Sequence, residues 1–77
     1  MKRYVYCLWD KIAQEAGLLF EAQSDTHAQR MLESCEQWPQ GTTKDDFEIL
    51  KLGEFFHGDD SNAPRLEAYD GTRTIAL

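Results

Sequence analysis

Ser24-Asp25-Thr26-His27-Ala28-Gln29-Arg30-Met31-Leu32-Glu33-Ser34-Cys35-Glu36-Gln37-Trp38-Pro39 is the stretch on which the fold turns. Ser24 or Asp25 can accept a hydrogen bond from an orphan amide at a helix start. Ala28, Met31, Leu32, Cys35 and Trp38 recur at helical spacing as one apolar stripe, while Gln29, Arg30, Glu33, Glu36 and Gln37 fall on other faces. Pro39 has no amide proton and clashes with the preceding turn, so it stops the helix after about four turns. A helix that is apolar on one side only needs a sheet to lie on.

Both flanks supply strands. Arg3-Tyr4-Val5-Tyr6-Cys7-Leu8-Trp9 combines aromatic and β-branched side chains and ends at Asp10-Lys11. Residues 12–16 read either as a helical turn, favoured by Ala13, Gln14 and Ala16, or as a loop interrupted by Gly17. Leu18, Phe20 and Ala22 alternate with Leu19, Glu21 and Gln23, which sends the first set to the core of a second strand and closes a hairpin. After the helix, Phe47-Glu48-Ile49-Leu50-Lys51-Leu52-Gly53-Glu54-Phe55 breaks period-two order at Ile49-Leu50, as a central strand or a bulged one would. Residues 57–64 are turn-rich, residues 65–69 can return as a fourth strand, and Asp70-Gly71 reads as a tight hairpin turn before a short fifth strand at residues 72–77. The expectation is a single α+β domain over residues 1–77, an antiparallel sheet of four or five strands in the order β-β-α-β-β, with one amphipathic helix packed on one face. The other face then lies uncovered, and exposed apolar patches mark partner surfaces, so a homo-oligomer is expected.

Composition narrows the function. The 77 residues hold 8 Lys plus Arg and 14 Asp plus Glu, a formal charge of −6 that argues against a duplex-DNA binder. The apolar share of 42% is too high for a disordered chain. Leu18-Leu19-Phe20 is far shorter than the roughly 18 apolar residues of a membrane span, and Asp10 cuts the first apolar stretch short of an export signal. A soluble species without membrane contact is expected. Cys7 and Cys35 have no CxxC spacing and read as buried thiols.

Candidate chemistry is sparse. Gly58-Asp59-Asp60, with Asp45 and Asp46, could ligate a hard cation, but Asp and Gly between apolar runs are ordinary loop residues. His27 and His57 lack a third partner at recognisable spacing. No phosphate loop, nucleophile elbow or zinc pattern occurs, so no catalytic residue, metal or cofactor is expected.

Two binding modes remain. Single strands are held by stacking and cations together, and Tyr4, Tyr6 and Trp9 lie near Lys2, Arg3 and Lys11 in the one part of the chain, residues 1–23, whose charges cancel. The same aromatics are also ordinary strand-filling core residues. Alternatively Asp45, Asp46, Glu48, Glu54, Asp59 and Asp60 imitate a nucleic acid and inhibit a basic host defence or nucleic-acid-binding protein, the bland counterpart being a solvated acidic surface.

Three segments resemble the small nonstructural protein of gokushoviruses, the Microviridae branch of single-stranded DNA phages. Val5-Tyr6-Cys7-Leu8-Trp9-Asp10-Lys11-Ile12-Ala13 is similar to that family's opening strand with its aromatic-Asp-x-Lys-Ala end. Gly17-Leu18-Leu19-Phe20-Glu21-Ala22-Gln23-Ser24-Asp25 followed by Ala28-Gln29-Arg30-Met31 resembles its second strand, cap and Ala-x-Arg helix. Asp45-Asp46-Phe47-Glu48-Ile49-Leu50-Lys51-Leu52-Gly53-Glu54-Phe55 resembles its acidic-Asp-Tyr-x-Leu core ending in Leu-Gly-x-Phe-Asp. The likeness spans residues 5–69. The chain departs from it at Glu36-Gln37-Trp38-Pro39, where the family has Asn-Asp-Pro, and at Thr43-Lys44, where it has His-Pro. The resemblance implies an accessory binding protein of the host cytoplasm acting in single-stranded genome synthesis and packaging, with phage or host replication proteins, and with single-stranded DNA as a candidate ligand.

Overall fold

The computed structural model describes residues 2–34, 38 and 41–77. Strands β1 (Lys2–Asp10) and β2 (Glu15–Ala22) form the first hairpin, α1 (Asp25–Glu33) follows, and β3 (Phe47–Phe56) and β4 (Arg65–Ile75) complete one antiparallel sheet in the order β2-β1-β3-β4. The α+β fold with a single helix on one face is as expected, and the sheet has four strands. β1 and β3 are therefore central. The apolar doublet of β3 reflects that central place and a bulge as well: Gly53 lies opposite Val5 and Lys51 opposite Tyr6, leaving Leu52 as the extra residue.

Asp70-Gly71 makes no hairpin turn. β4 runs through it as one strand, with Ala68 opposite Gly53 and Arg73 opposite Lys51, so residues 69–72 bulge out against the single residue Leu52. The bulge at Leu52 twists β3 where β4 crosses it, and the flexible Asp-Gly pair absorbs the mismatch instead of reversing the chain. At this crossing β4 backbone sits where a Cβ on Gly53 would be, against the Glu67 carbonyl and 2.9 Å from Ala68 Cα. Only glycine fits there.

The hairpin between β1 and β2 is a turn, not a helix. Asp10 Oδ1 accepts from the amides of Ile12 and Ala13, both at 3.0 Å, and Gln14 takes a left-handed φ of 56° to re-enter the sheet. Leu18, expected inward, is 57% exposed. The pairing steps from Cys7 opposite Leu19 to Trp9 opposite Ala16, so a second bulge at Gly17-Leu18 spoils the alternation.

Helix α1 starts where expected: Ser24 Oγ accepts from the His27 amide at 3.1 Å, and Asp25 sits in the first turn. It ends at Glu33, well before the four turns its stripe suggests. Ser34 caps it and turns its hydroxyl back onto the Met31 carbonyl at 3.1 Å, a side-chain bond that competes with continuing the helix. Cys35, Pro39 and the outer-face residues Glu36 and Gln37 lie outside the described residues. Ala28 and Leu32 are buried, whereas Met31 is 40% exposed. Trp38 stacks on Phe47, centroids 5.1 Å apart, beyond the helix end.

The core is one-sided. Tyr6, Ala22, Ala28, Leu32 and Ile49 form its centre, flanked by Tyr4, Leu8, Phe20, Ile75 and Leu77. Nine helical residues span only about 14 Å against roughly 33 Å for the ten residues of β3, so the helix covers less than half of the sheet's length. Gln29 Nε2 donates to the Ala76 carbonyl at 2.8 Å, which fixes the covered half as the end bearing Ile49 and Ile75. Among the described residues no helix is long and apolar enough to cross a membrane.

Candidate nucleic-acid interface

Beyond the N-terminus of α1 the same sheet face continues without a second layer, and here side-chain alternation gathers charge and rings. Tyr4 lies opposite Glu54, Phe56 opposite Arg65, Glu54 opposite Glu67 and Lys51 opposite Arg73, and paired residues share a face. Lys51 Nζ sits 3.9 Å above the Tyr4 ring centre, with Lys2 Nζ 5.4 Å from it. The Arg65 guanidinium lies 4.0 Å from the Phe56 ring centre and the Arg73 guanidinium 4.1 Å from that of Tyr69. Four of the chain's eight cations thus stand over three aromatic rings on one strip.

Three carboxylates interleave with them, each already engaged. Lys2 Nζ meets Glu54 Oε1 at 2.8 Å, Lys51 Nζ meets Asp25 Oδ1 at 2.9 Å, and Arg65 Nε meets Glu67 Oε1 at 3.2 Å. Arg73 joins no ion pair among the described residues. Hydrogen bonding from Lys2 holds the Glu54 carboxyl below its ordinary range, and Glu54 in turn raises the Lys2 ammonium. At the strip's inner boundary, Asp25 also accepts from the Tyr6 hydroxyl at 2.8 Å. Partial burial pushes the Asp25 carboxyl up, but the bonds from Lys51 and Tyr6, with the charges of Lys51 and Arg73, outweigh it and leave it below its usual value. Burial, reinforced by Asp25, raises the Tyr6 phenol.

The six residues that the sequence groups as a strand-binding cluster are divided by this geometry. Lys2 and Tyr4 belong to the strip. Tyr6 is fully buried beneath the helix, stacked on Phe20 with centroids 5.5 Å apart, and can present no face to a base. Arg3 and Trp9 alternate to the opposite sheet face, where Arg3 Nε lies 3.0 Å from Glu21 Oε1 at an angle poorer than a hydrogen bond requires. Lys11 sits in the hairpin turn, its amide donating to the Asp46 carbonyl at 2.9 Å. What the sequence reading missed is the C-terminal share: Lys51, Phe56, Arg65, Tyr69 and Arg73. Alternation of aromatic and cationic residues in β4 carried the signal, but a hairpin at Asp70-Gly71 would have put Arg73 on another strand.

The acidic set does not converge either. Asp45, Asp46 and Glu48 cluster at the start of β3, while Glu54 lies six residues on, roughly 20 Å along the strand, and Asp59 and Asp60 lie in the loop beyond its end. Asp46 Oδ2 accepts from the Thr43 amide at 2.9 Å in a capping box. Asp59 is folded into its own turn, accepting from the Ser61 and Asn62 amides at 2.8 and 2.9 Å, which lowers its carboxyl. Glu54 is held by Lys2. His27 lies in the first turn of α1, and His57 Nε2 lies 3.1 Å from Glu21 Oε1. Among the described residues no three His, Cys, Asp or Glu groups are placed to hold a metal ion.

Among the described residues no element covers the opposite face. Val5, Leu19, Phe55 and Leu66, with Phe20 and Glu21, line a shallow depression of about 360 Å³ there. Cys7 is buried among its neighbours, and burial raises its thiol. No family model matches the chain, and no curated protein or solved structure matches it.

Proposed function

We propose that this chain is an accessory binding protein that holds single-stranded nucleic acid on the cation and ring strip formed by Lys2, Tyr4, Lys51, Phe56, Arg65, Tyr69 and Arg73. The observation that carries the reading is the concentration of half the chain's cations over three rings, in a protein of net charge −6. Single strands need both components: cations that follow the phosphates and ring faces that accept bases. The exposed pairs on the strip, Lys2 with Glu54 and Arg65 with Glu67, are weak competitors. Exposed ion pairs are worth about 0–1 kcal/mol and exposed cation–ring contacts about 0.5–1 kcal/mol, so a phosphate can take over Lys2 or Arg65 at little cost. Acidic groups further off than the Debye length of about 8 Å are screened at physiological salt.

The gokushovirus resemblance supplies the setting within this proposal: a phage protein of the host cytoplasm, acting with phage or host replication proteins while single-stranded genomes are made and packaged. Adjacent genes for a rolling-circle initiator and a jelly-roll capsid protein would support that setting.

Fluorescence anisotropy with labelled single strands tests the binding itself. Three phosphate contacts, from the exposed Lys2, Arg65 and Arg73, give a slope of log affinity on log salt near −2.1, about an 18-fold loss between 50 and 200 mM. Arg65→Ala or Arg73→Ala should each flatten the slope by about 0.7. Tyr4→Ala should weaken binding at every salt concentration without changing the slope, since it removes a ring face and no cation. Absence of salt-sensitive binding to any single strand refutes the reading.

A further inference from the structure

The sheet face opposite the strip carries a different kind of surface. Leu19 on β2 and Leu66 on β4 are 65% and 59% exposed, and Val5, Trp9, Leu50 and Phe55 lie between them on the central strands. The described residues contribute only seven buried apolar side chains to the core, in a chain that is 42% apolar. Cores of that size are marginal, and small domains commonly complete them by association.

We infer that a second copy of this chain packs on this face, sheet against sheet, to make a two-layer β-sandwich. Charge selects the occupant. In a chain of net charge −6, the ladder with β1 and β3 places few charges on this face: Arg3 paired with Glu21, His57 beside the same carboxylate, and Glu48, with Asp70 in the bulge of β4, so little charge has to be desolvated when two copies meet here. The strip on the other side would bring four cations and three carboxylates of each copy together, all of which would have to be desolvated.

Area agrees. Four strands about 4.8 Å apart and about 30 Å long offer about 580 Å² per copy, or about 1,150 Å² in total, which clears the roughly 1,000 Å² of a specific interface. A twofold contact of this kind is self-complementary: the depression lined by Val5, Leu19, Phe55 and Leu66 receives the partner's exposed leucines while offering its own. Pairing sheet to sheet leaves both strips facing outward, so the dimer does not depend on the nucleic-acid reading and can fail or stand without it.

Light scattering and sedimentation of the full chain from 1 to 200 µM test the contact. The expected result is a species of twice 8.9 kDa at the upper concentrations, with a melting temperature that rises with concentration. Leu19→Asp and Leu66→Asp, each at a position already more than half exposed, should give monomers with unchanged circular dichroism. Leu18→Asp, in the β2 bulge and outside the lining of the depression, should leave the dimer intact. A parent chain that stays monomeric with a concentration-independent melting temperature overturns the inference. So does dissociation by Leu18→Asp with Leu19→Asp silent, which would place the contact at the β2 edge.

Discussion

The two ends of the helix-side sheet face are built alike and finished differently. At one end Tyr6, Phe20 and Ile49 lie beneath Ala28 and Leu32, and water is excluded by a second layer of backbone. At the other, Tyr4, Phe56 and Tyr69 lie beneath ammonium and guanidinium groups carried by the sheet itself. An aromatic residue on a strand therefore declares its face but not its cover. Stability comes from the first end, and the outer part of the second, over Phe56 and Tyr69, is free to be uncovered by a ligand because the exposed guanidinium groups there are weakly held.

The sharpest way to break the contrast is to empty the covered end. Ile49 is fully buried, and Ile49→Ala leaves a cavity between α1 and β3, with an expected cost of about 2–5 kcal/mol. Urea denaturation reads it as a lower midpoint at unchanged slope. A loss below about 1 kcal/mol would mean that the helix seals this end poorly, and the two ends would not differ as argued.

The seam between the ends, where Asp25 receives Tyr6 and Lys51, should respond to pH. The Asp25 carboxyl titrates lower in the folded chain than in the unfolded one. Its stabilisation is therefore full above the unfolded value of about 3.9 and disappears as pH falls through the lower folded value. Asp25 is half exposed, so solvent screening keeps the contribution below about 1 kcal/mol. Asp25→Asn should be slightly less stable than the parent at pH 7, and the gap should close between pH 4 and more acidic solution. A gap that persists at pH 2.5 would assign the loss to packing at the helix start rather than to charge.

Much of the covered end was legible in the sequence. Ser24 and Asp25 announced the helix start, Ala28 and Leu32 its buried stripe, and the bounds of β3 followed from its apolar density. The uncovered end was half legible. Lys2 and Tyr4 stood out as neighbours in sequence, but the strip is assembled across three strands, and a bulge of residues 69–72 is what returns Arg73 beside Lys51. Local turn chemistry at Asp70-Gly71 pointed to a hairpin, and the ladder with β3, a non-local term, prevailed. Helix length was over-read for a related reason: periodicity continued through Met31 to Trp38, yet Ser34 bonded back to the preceding turn, and Trp38 packs on Phe47 instead.

The smallest effect is the most diagnostic. Arg65 and Arg73 are exposed, the first in a surface pair with Glu67 and over Phe56, the second over Tyr69 alone. If these cations served as a substitute for a second layer, removing them would bare the rings and cost as much as a core truncation. Because the rings already rest on the sheet and the cations remain hydrated, Arg65→Ala and Arg73→Ala should each change stability by no more than about 0.5–1 kcal/mol. The same substitutions should flatten the salt dependence of single-strand binding. Stability nearly untouched while binding falls would separate ligand recognition from folding at this end, whereas a cost of several kcal/mol would make the two ends one structural core with two styles of roof.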